Sequence, residues 1–206
     1  MRKGNGRGTA FLTFVLVSFL LLTVLLGTGC EKADTSGGEA EEEMEEDNAE
    51  DGRDAEEEVS LTLYFRLYIE GEEYLAPEER TVYTADAPLA AMEELIKGPG
   101  EGSELMPVLP GTTQVLDVSV EDGVCTVDVS KEIITDSSEV GFGARGEVLA
   151  LATIADTLTG LEGIEEVRLL VEGKQSGEVD GRHIEDFWGH TGLPETLERD
   201  ESLIYR

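Results

Sequence analysis

The residues whose types could do chemistry are few: two histidines, His183 and His190, a cysteine in the apolar-patterned half of the chain, Cys125, and the glycine run Gly141-Phe142-Gly143-Ala144-Arg145-Gly146. The histidines stand seven apart in a polar stretch and match no metal-ligand spacing, so solvated surface imidazoles are favoured over a metal or catalytic pair. The glycine run spells G-x-G-x-x-G ahead of a helical pattern, with Glu172 at the end of the strand pattern that follows, as a dinucleotide-binding loop would. Such a loop must leave a strand directly, and the preceding strand pattern ends near Ser130. A glycine-rich entry into a helix, where positive φ is cheap, explains the run better. Cys125 sits in an alternating apolar segment and reads as a small buried hydrophobe. Neither a G-x-S-x-G elbow, a P-loop nor a Ser-x-x-Lys pair occurs. The adjacent carboxylates Glu93-Glu94 and Glu165-Glu166 could serve as acid and base, but 46 acidic residues produce chance pairs, and glycosidase carboxylates are defined by separation in space. The expectation is a non-enzymatic chain, with no catalytic residue, cofactor or metal site.

The elements that would position these residues begin at Val59, where periodicities of two and of about 3.6 alternate. Leu61, Leu63, Phe65, Leu67 and Ile69 share one face of a first strand, with Thr62, Tyr64, Arg66 and Tyr68 on the other. A short strand is expected around Thr81 to Thr84, after a turn at Pro77. Leu89, Met92, Leu95 and Ile96 then form a helical stripe stopped by Gly98-Pro99-Gly100, since glycine just past a helix end followed by proline terminates it. Asp122-Gly123 between two alternating strands is the preferred type I′ hairpin turn. Placing it at the tip sets Val120 opposite Cys125, Val118 opposite Val127 and Leu116 opposite Val129, while a slip of one residue would bury Thr126 and Asp128. A long helix follows over 145–159, with Val148, Leu151, Ala152, Ala155 and Leu158 on one face, and then a strand over 166–172. These elements predict an α+β fold, a small mainly antiparallel sheet with two helices packed on one face. Beyond Gly173 the isolated anchors Ile184, Phe187 and Trp188 suggest a last strand or a strap across the sheet, and the segment from Leu193 is only weakly determined.

Ahead of the domain lie two segments of different character. Arg2, Lys3 and Arg7 precede an apolar run from Ala10 to Leu26, the pattern of an export signal. Its 17 residues fall short of the roughly 20 that span a bilayer comfortably, so a cleaved signal is favoured over a permanent span, and both leave the remainder outside the cytoplasm. The sequence Leu26-Gly27-Thr28-Gly29-Cys30 resembles the lipobox of bacterial lipoproteins, with the leucine one place ahead of the position the motif favours. The resemblance implies cleavage between Gly29 and Cys30 and a lipid on Cys30; a plain signal or an uncleaved anchor with an incidental cysteine is the alternative. With Cys30 so used, Cys125 has no disulfide partner. Residues 31–58 carry fifteen acidic side chains against Lys32 and Arg53. Low hydrophobicity and dense like charge predict a disordered tether, reaching about 30 Å for a chain of that length. A loose sponge for divalent cations is the second reading, although no fixed calcium loop is present. The net charge of −31 argues against nucleic-acid phosphates as partners.

Several stretches of the folded part resemble a known family, the GerMN domain of bacterial sporulation and germination lipoproteins. They are Leu63-Tyr64-Phe65, the segment from Leu75 to Arg80, that from Ala91 to Pro99, Leu109-Pro110-Gly111-Thr112, the hairpin from Val118 to Asp128, and Val171-Glu172-Gly173-Lys174. The resemblance implies a compact α+β module, similar to ring-building modules of secretion and spore-envelope machinery, that works in assembly or ligand sensing rather than catalysis. The chain has room for one copy. The division expected is therefore a lipoprotein signal over 1–29, an acidic tether over 30–58, a GerMN-like domain over 59–190 and a C-terminal tail over 191–206. Function is expected to be that of a lipid-anchored, extracytoplasmic binding or assembly module with an envelope protein as partner. The alternative is an accessory to sensing or cell-wall enzymes that binds a small molecule or a peptidoglycan fragment. Tyr64, Tyr68, Phe187 and Trp188 are the candidate contact surface, because aromatics are favoured binding anchors; covering the second face of the sheet would explain them equally well.

Overall fold

A computed structural model describes residues 56–141, 143–189 and 192–206. The export signal, Gly29, Cys30 and nearly all of the acidic segment lie outside the described residues, as do Phe142 and His190. The elements run β1 (Glu57–Ile69), β2 (Glu72–Thr84), α1 (Ala87–Lys97), β3 (Val115–Glu121), β4 (Val124–Val129), α2 (Glu132–Thr135), α3 (Ala144–Leu158), β5 (Glu166–Val171), β6 (Glu178–Val179), β7 (Arg182–His183) and α4 (Ile184–Phe187). Antiparallel pairing dominates, in β1–β2, β3–β4 and β6–β7, while β4 and β5 run parallel. The α+β expectation holds. Helices α1 and α3 pack on each other and on β1; α1 also reaches β3, and α3 reaches β5. Among the described residues no helix is long and apolar enough to cross a membrane.

The β1–β2 ribbon is longer than the sequence pattern indicated, because β2 runs straight through Pro77 rather than starting after it. Pro77 lies opposite Tyr64. The Tyr64 backbone turns its polar groups away from β2: its N–H donates to Thr157 Oγ1 at 3.3 Å, and its carbonyl accepts from the Thr153 hydroxyl. The pair is therefore of the non-hydrogen-bonded kind, and proline's missing N–H costs the ribbon nothing. The same two threonines explain why α3 buries hydroxyls at all. Four residues apart on one helix face, they satisfy the free edge of β1, and one residue pair along, Arg66 exchanges two backbone bonds with Met106 at 3.0 and 2.8 Å.

Asp86 caps α1 by accepting the Leu89 N–H at 3.0 Å, and Gly98, at φ 84°, ends it. The β3–β4 hairpin turns on Asp122 and Gly123, both at positive φ, with Val120 opposite Cys125 and Val118 opposite Val127 as the register predicted. The third pair differs. A bulge places Val115, not Leu116, against Val129, and Leu116 is 47% exposed. The extra residue keeps Gln114 tied to Ser130, whose N–H reaches the Gln114 carbonyl at 2.9 Å and whose hydroxyl takes the Gln114 N–H at 2.9 Å.

Helix α3 is buried from Leu149 to Leu158 on every side, not along a single stripe. The cause is the C-terminal segment, residues 193–206, which packs as a strap. Val167 and Leu197 exchange backbone bonds at 3.0 and 2.7 Å, closing the edge of β5; further on, the Tyr205 N–H donates to the Leu75 carbonyl of β2 at 2.8 Å. Between these ends the strap buries Leu197 and Leu203 in the common core.

Candidate functional site

A recess open to solvent lies between α3 and the strap. Its floor is aliphatic, with Leu151, Ala152 and Ala155 from the helix and Leu197 and Leu203 from the strap, and Glu198 and Asp200 stand exposed at its rim. The open volume is about 550 Å³. That size falls in the range of ligand-binding clefts, about 300–1,000 Å³, whose linings are mostly apolar with a few placed polar groups.

A polar latch holds the strap over the helix. Arg199 donates from Nη1 to the Asp156 carbonyl at 2.8 Å and from Nη2 to the Tyr64 hydroxyl at 2.7 Å, with its guanidinium 5.3 Å above the Tyr64 ring. The Asp156 side chain, wholly buried, accepts the Asp200 N–H at Oδ1 over 2.8 Å. Burial raises the Asp156 pKa above the ordinary range, outweighing that N–H and the nearby Arg199 charge.

A second polar centre braces the domain on the side of α1. Arg80 pairs with Glu78 at 2.6 Å and Glu94 at 2.7 Å, donates to the Gly98 carbonyl at 2.6 Å, and lies over the Phe65 ring at 5.4 Å. Glu78 in turn accepts the Gly100 N–H at 3.0 Å. Two of the stretches behind the family resemblance, Leu75–Arg80 and Ala91–Pro99, thus meet through this one guanidinium, and their work is structural. Burial acts against the charged forms of Glu78 and Glu94. Hydrogen bonds from Arg80 and the Gly100 N–H to Glu78, and from Lys97 and Arg80 to Glu94, outweigh it and leave both pKa values lowered. A carboxylate with a depressed folded pKa stabilises the fold above its unfolded pKa, about 4.3 for glutamate, and that contribution disappears as pH falls through the folded value. Urea midpoints measured from pH 7 down to pH 3 should therefore drop below about pH 4.3, and drop less steeply in Arg80→Ala. An identical acid limb in that variant would show that the brace is not what titrates.

The structure redistributes the sequence-predicted contact residues. Tyr64 is buried, engaged by Arg199, and Trp188 is fully buried beyond α4, so neither belongs to an exposed surface. Both are covered because the strap and the segment after β5 supply the second layer that a strand pattern cannot show. Tyr68 does stand open, 59% exposed, and Phe187 falls in α4. His183 lies exposed in β7. Gly141 ends a 3-10 turn, Ser137–Val140, in the left-handed region, and Gly143 precedes α3; the helix is entered from a turn and not from a strand, as the dinucleotide reading would require. Cys125 is buried, and burial with the charge of Asp86 pushes its thiol up to about 11, far from a reactive thiolate. Among the described residues no three histidine, cysteine or acidic side chains gather as metal ligands do. Sequence reasoning missed the groove itself. Its only trace was Leu193, Leu197, Leu203 and Ile204 recurring among the acidic residues of the tail.

No curated protein matches the chain. Among solved structures, the tandem GerMN domains of the sporulation protein GerM from Bacillus subtilis superpose with a TM-score of 0.53 at 24% identity, over 71% of this chain and 46% of that one. The chain thus spans about half the length of the protein it matches. The first GerMN domain of the same protein gives a TM-score of 0.49 at 22% identity, over 68% of this chain and 98% of that domain. Residues 62–177 match the family Germane, described as sporulation and spore germination. That match covers more than half of the sequence and runs from β1 almost to β6, so the chain belongs to the Germane family.

Proposed function

We propose that the chain is an exported protein of the bacterial cell envelope, held on the extracytoplasmic face of the membrane by lipid on Cys30, and that its Germane domain is a non-enzymatic module that binds another envelope protein in a sporulation or germination setting. The observation that supports a binding role is the recess of about 550 Å³ between α3 and the strap, whose aliphatic lining is itself mostly buried and whose rim carries the exposed Glu198 and Asp200. A mostly apolar recess with a few polar groups at its mouth is the usual form of a binding cleft. The buried Cys125 and the engaged Arg80, Glu78 and Glu94 serve packing and bracing. Family membership supports the setting, and the lipobox-like sequence supports the anchor. Two or more acyl chains, at about 0.8 kcal/mol per buried methylene, retain a protein stably, and the acidic segment spaces the domain from the bilayer.

Two measurements test this. Crosslinking in intact cells should recover a defined envelope protein with the chain; repeated failure to capture any, together with turnover of a substrate by the purified protein, would refute the binding role. Cys30→Ser should release the protein into the medium or leave an unprocessed precursor, read by fractionation and mass. Unchanged size and membrane retention would refute the lipid anchor.

A further inference from the structure

We infer that the outer edge of β3 takes an extended segment of a protein partner as an added strand, one in which aliphatic residues alternate with lysine or arginine. This surface shares no residue with the α3–strap recess. The inference rests on the reading of the domain as a protein-binding module and names a place and a partner chemistry for it.

β3 is the outermost strand of the sheet β3-β4-β5. The opposite edge of that sheet is closed, because Leu197 pairs with Val167 on β5, and β1 is served by Met106 and by the hydroxyls of Thr153 and Thr157. No other segment among the described residues pairs its backbone with β3. A two-residue turn closes on a hydrogen-bonded pair, here Glu121 with Val124, so the ladder bonds fall on Glu121, Ser119 and Asp117. Val118 and Val120 therefore point their N–H and carbonyl groups outward. The bulge ends the regular stretch at Asp117, which leaves an open edge from Asp117 to Glu121, about 17 Å at 3.4 Å per residue. Such an edge is a template for another strand.

Its side chains state what that strand should carry. Among the described residues Leu116 and Val120, 47% and 45% exposed, are the only exposed leucine, isoleucine or valine. With the half-buried Val118 between them they form the border of the core, a row that aliphatic residues of an added strand would cover. The other face selects for cations. Asp117 and Glu121 are exposed, and their carboxylates make no hydrogen bond or ion pair among the described residues. Arg168, on the same face, belongs to β5, about 10 Å away at the spacing of strands, and pairs with neither. Asp117 also stands directly across from Asp128, whose Oδ1 accepts the Gly173 N–H at 2.8 Å. Like charges so placed are unfavourable, and a cation on an added strand would relieve them. A second copy of the chain, at net charge −31, would bring further carboxylates to the same place, so a basic partner is favoured over self-pairing.

The test uses the full chain in nanodiscs of zwitterionic lipid and capped heptapeptides alternating Val-Lys, Val-Glu or Ser-Lys, with a further Val-Lys peptide N-methylated at every residue. Val-Lys should bind at least about tenfold more tightly than each of the others, since apolar cover, charge and backbone donors are all required. Exchange of the Val118 and Val120 amide hydrogens should slow at least about tenfold on binding, and the methyl resonances of Leu116 and Val120 should move. Asp117→Lys, an exposed substitution, should turn the preference from Val-Lys to Val-Glu. Val120→Pro removes an outward donor but no ladder bond, as Pro77 does in β2, and should abolish binding. If that variant melts early, Asp117→Lys decides the matter by itself. Binding of Ser-Lys or of the N-methylated peptide as tight as that of Val-Lys would overturn the proposal. So would unchanged exchange at Val118 and Val120, or a Val-Lys preference that survives Asp117→Lys. A dimer formed without peptide and dissolved by Val120→Pro would overturn it too, because the edge would then belong to a second copy. If the crosslink to an envelope protein persists in cells carrying Asp117→Lys, that partner sits elsewhere; the edge assignment then falls while the binding role stands.

Discussion

Replacing Asp122 and Gly123 together by proline should unfold the domain. Both residues sit at positive φ, 50° and 84°, as a type I′ turn requires. Proline holds φ near −65°, and each incompatible proline costs about 3 kcal/mol or more, so the pair removes a large part of the roughly 5–15 kcal/mol by which a domain is stable. The turn also anchors more than its own hairpin. The Gly123 carbonyl accepts the N–H groups of Glu165 at 2.8 Å and Glu166 at 3.2 Å, which start β5 beside β4, so losing the turn frees both partners of β4 at one end. Circular dichroism should show no cooperative melt, or one lower by at least about 15 °C at roughly 2–4 °C per kcal/mol. Two single changes calibrate the result. Asp122→Asn should be close to neutral, because asparagine suits the same turn position. Gly123→Ala should cost about 1 kcal/mol through φ alone, since a Cβ there meets only the Glu165 side chain, at 3.5 Å. A wild-type melting curve for the double proline variant would mean that the hairpin is not formed as described.

Trp188→Ala carries the second large effect, and it separates a packing residue from a contact residue. Trp188 is fully buried and is the chain's one tryptophan. Its backbone N–H donates to the Ile184 carbonyl at 3.1 Å, closing the turn after α4, and the side chain fills the core beside it. Emptying a buried tryptophan site costs about 3–5 kcal/mol, because the surrounding side chains collapse only partly into the space. The melting temperature should fall by roughly 10 °C. Since no other tryptophan contributes, the native protein should also show blue-shifted emission that resists acrylamide quenching and moves to the red on unfolding. Red-shifted, freely quenched emission in the native state, with an unaltered melt for Trp188→Ala, would return Trp188 to an exposed surface.

Much of the domain was legible along the chain because its signals are local. The I′ turn at Asp122-Gly123, the cap at Asp86 and the stop at Gly98 depend on the φ values and hydrogen bonds of a few neighbouring residues. The alternation in β4 and β5 reports a face that is buried whatever covers it. Reading failed where one element's environment is supplied by another far away in sequence. Pro77 looked like a break because its suitability depends on Tyr64 turning its backbone towards Thr153 and Thr157, some ninety residues on. Leu116 looked like a core residue because a bulge leaves no mark on an alternating pattern.

The charge, the export-like start, the α+β order of elements, the hairpin with its first two pairs and the family resemblance all follow from the order of residues along the chain. Which polar-patterned faces are covered, and where a recess forms, depends on packing between segments far apart along the chain. Whether Tyr64 and Trp188 are buried, and whether a groove exists at all, is settled by the path of the strap from β5 across α3 to β2. That path is held by backbone bonds and by the Arg199–Tyr64–Asp156 latch, pairings between residues so distant in the chain that neither periodicity nor composition can register them.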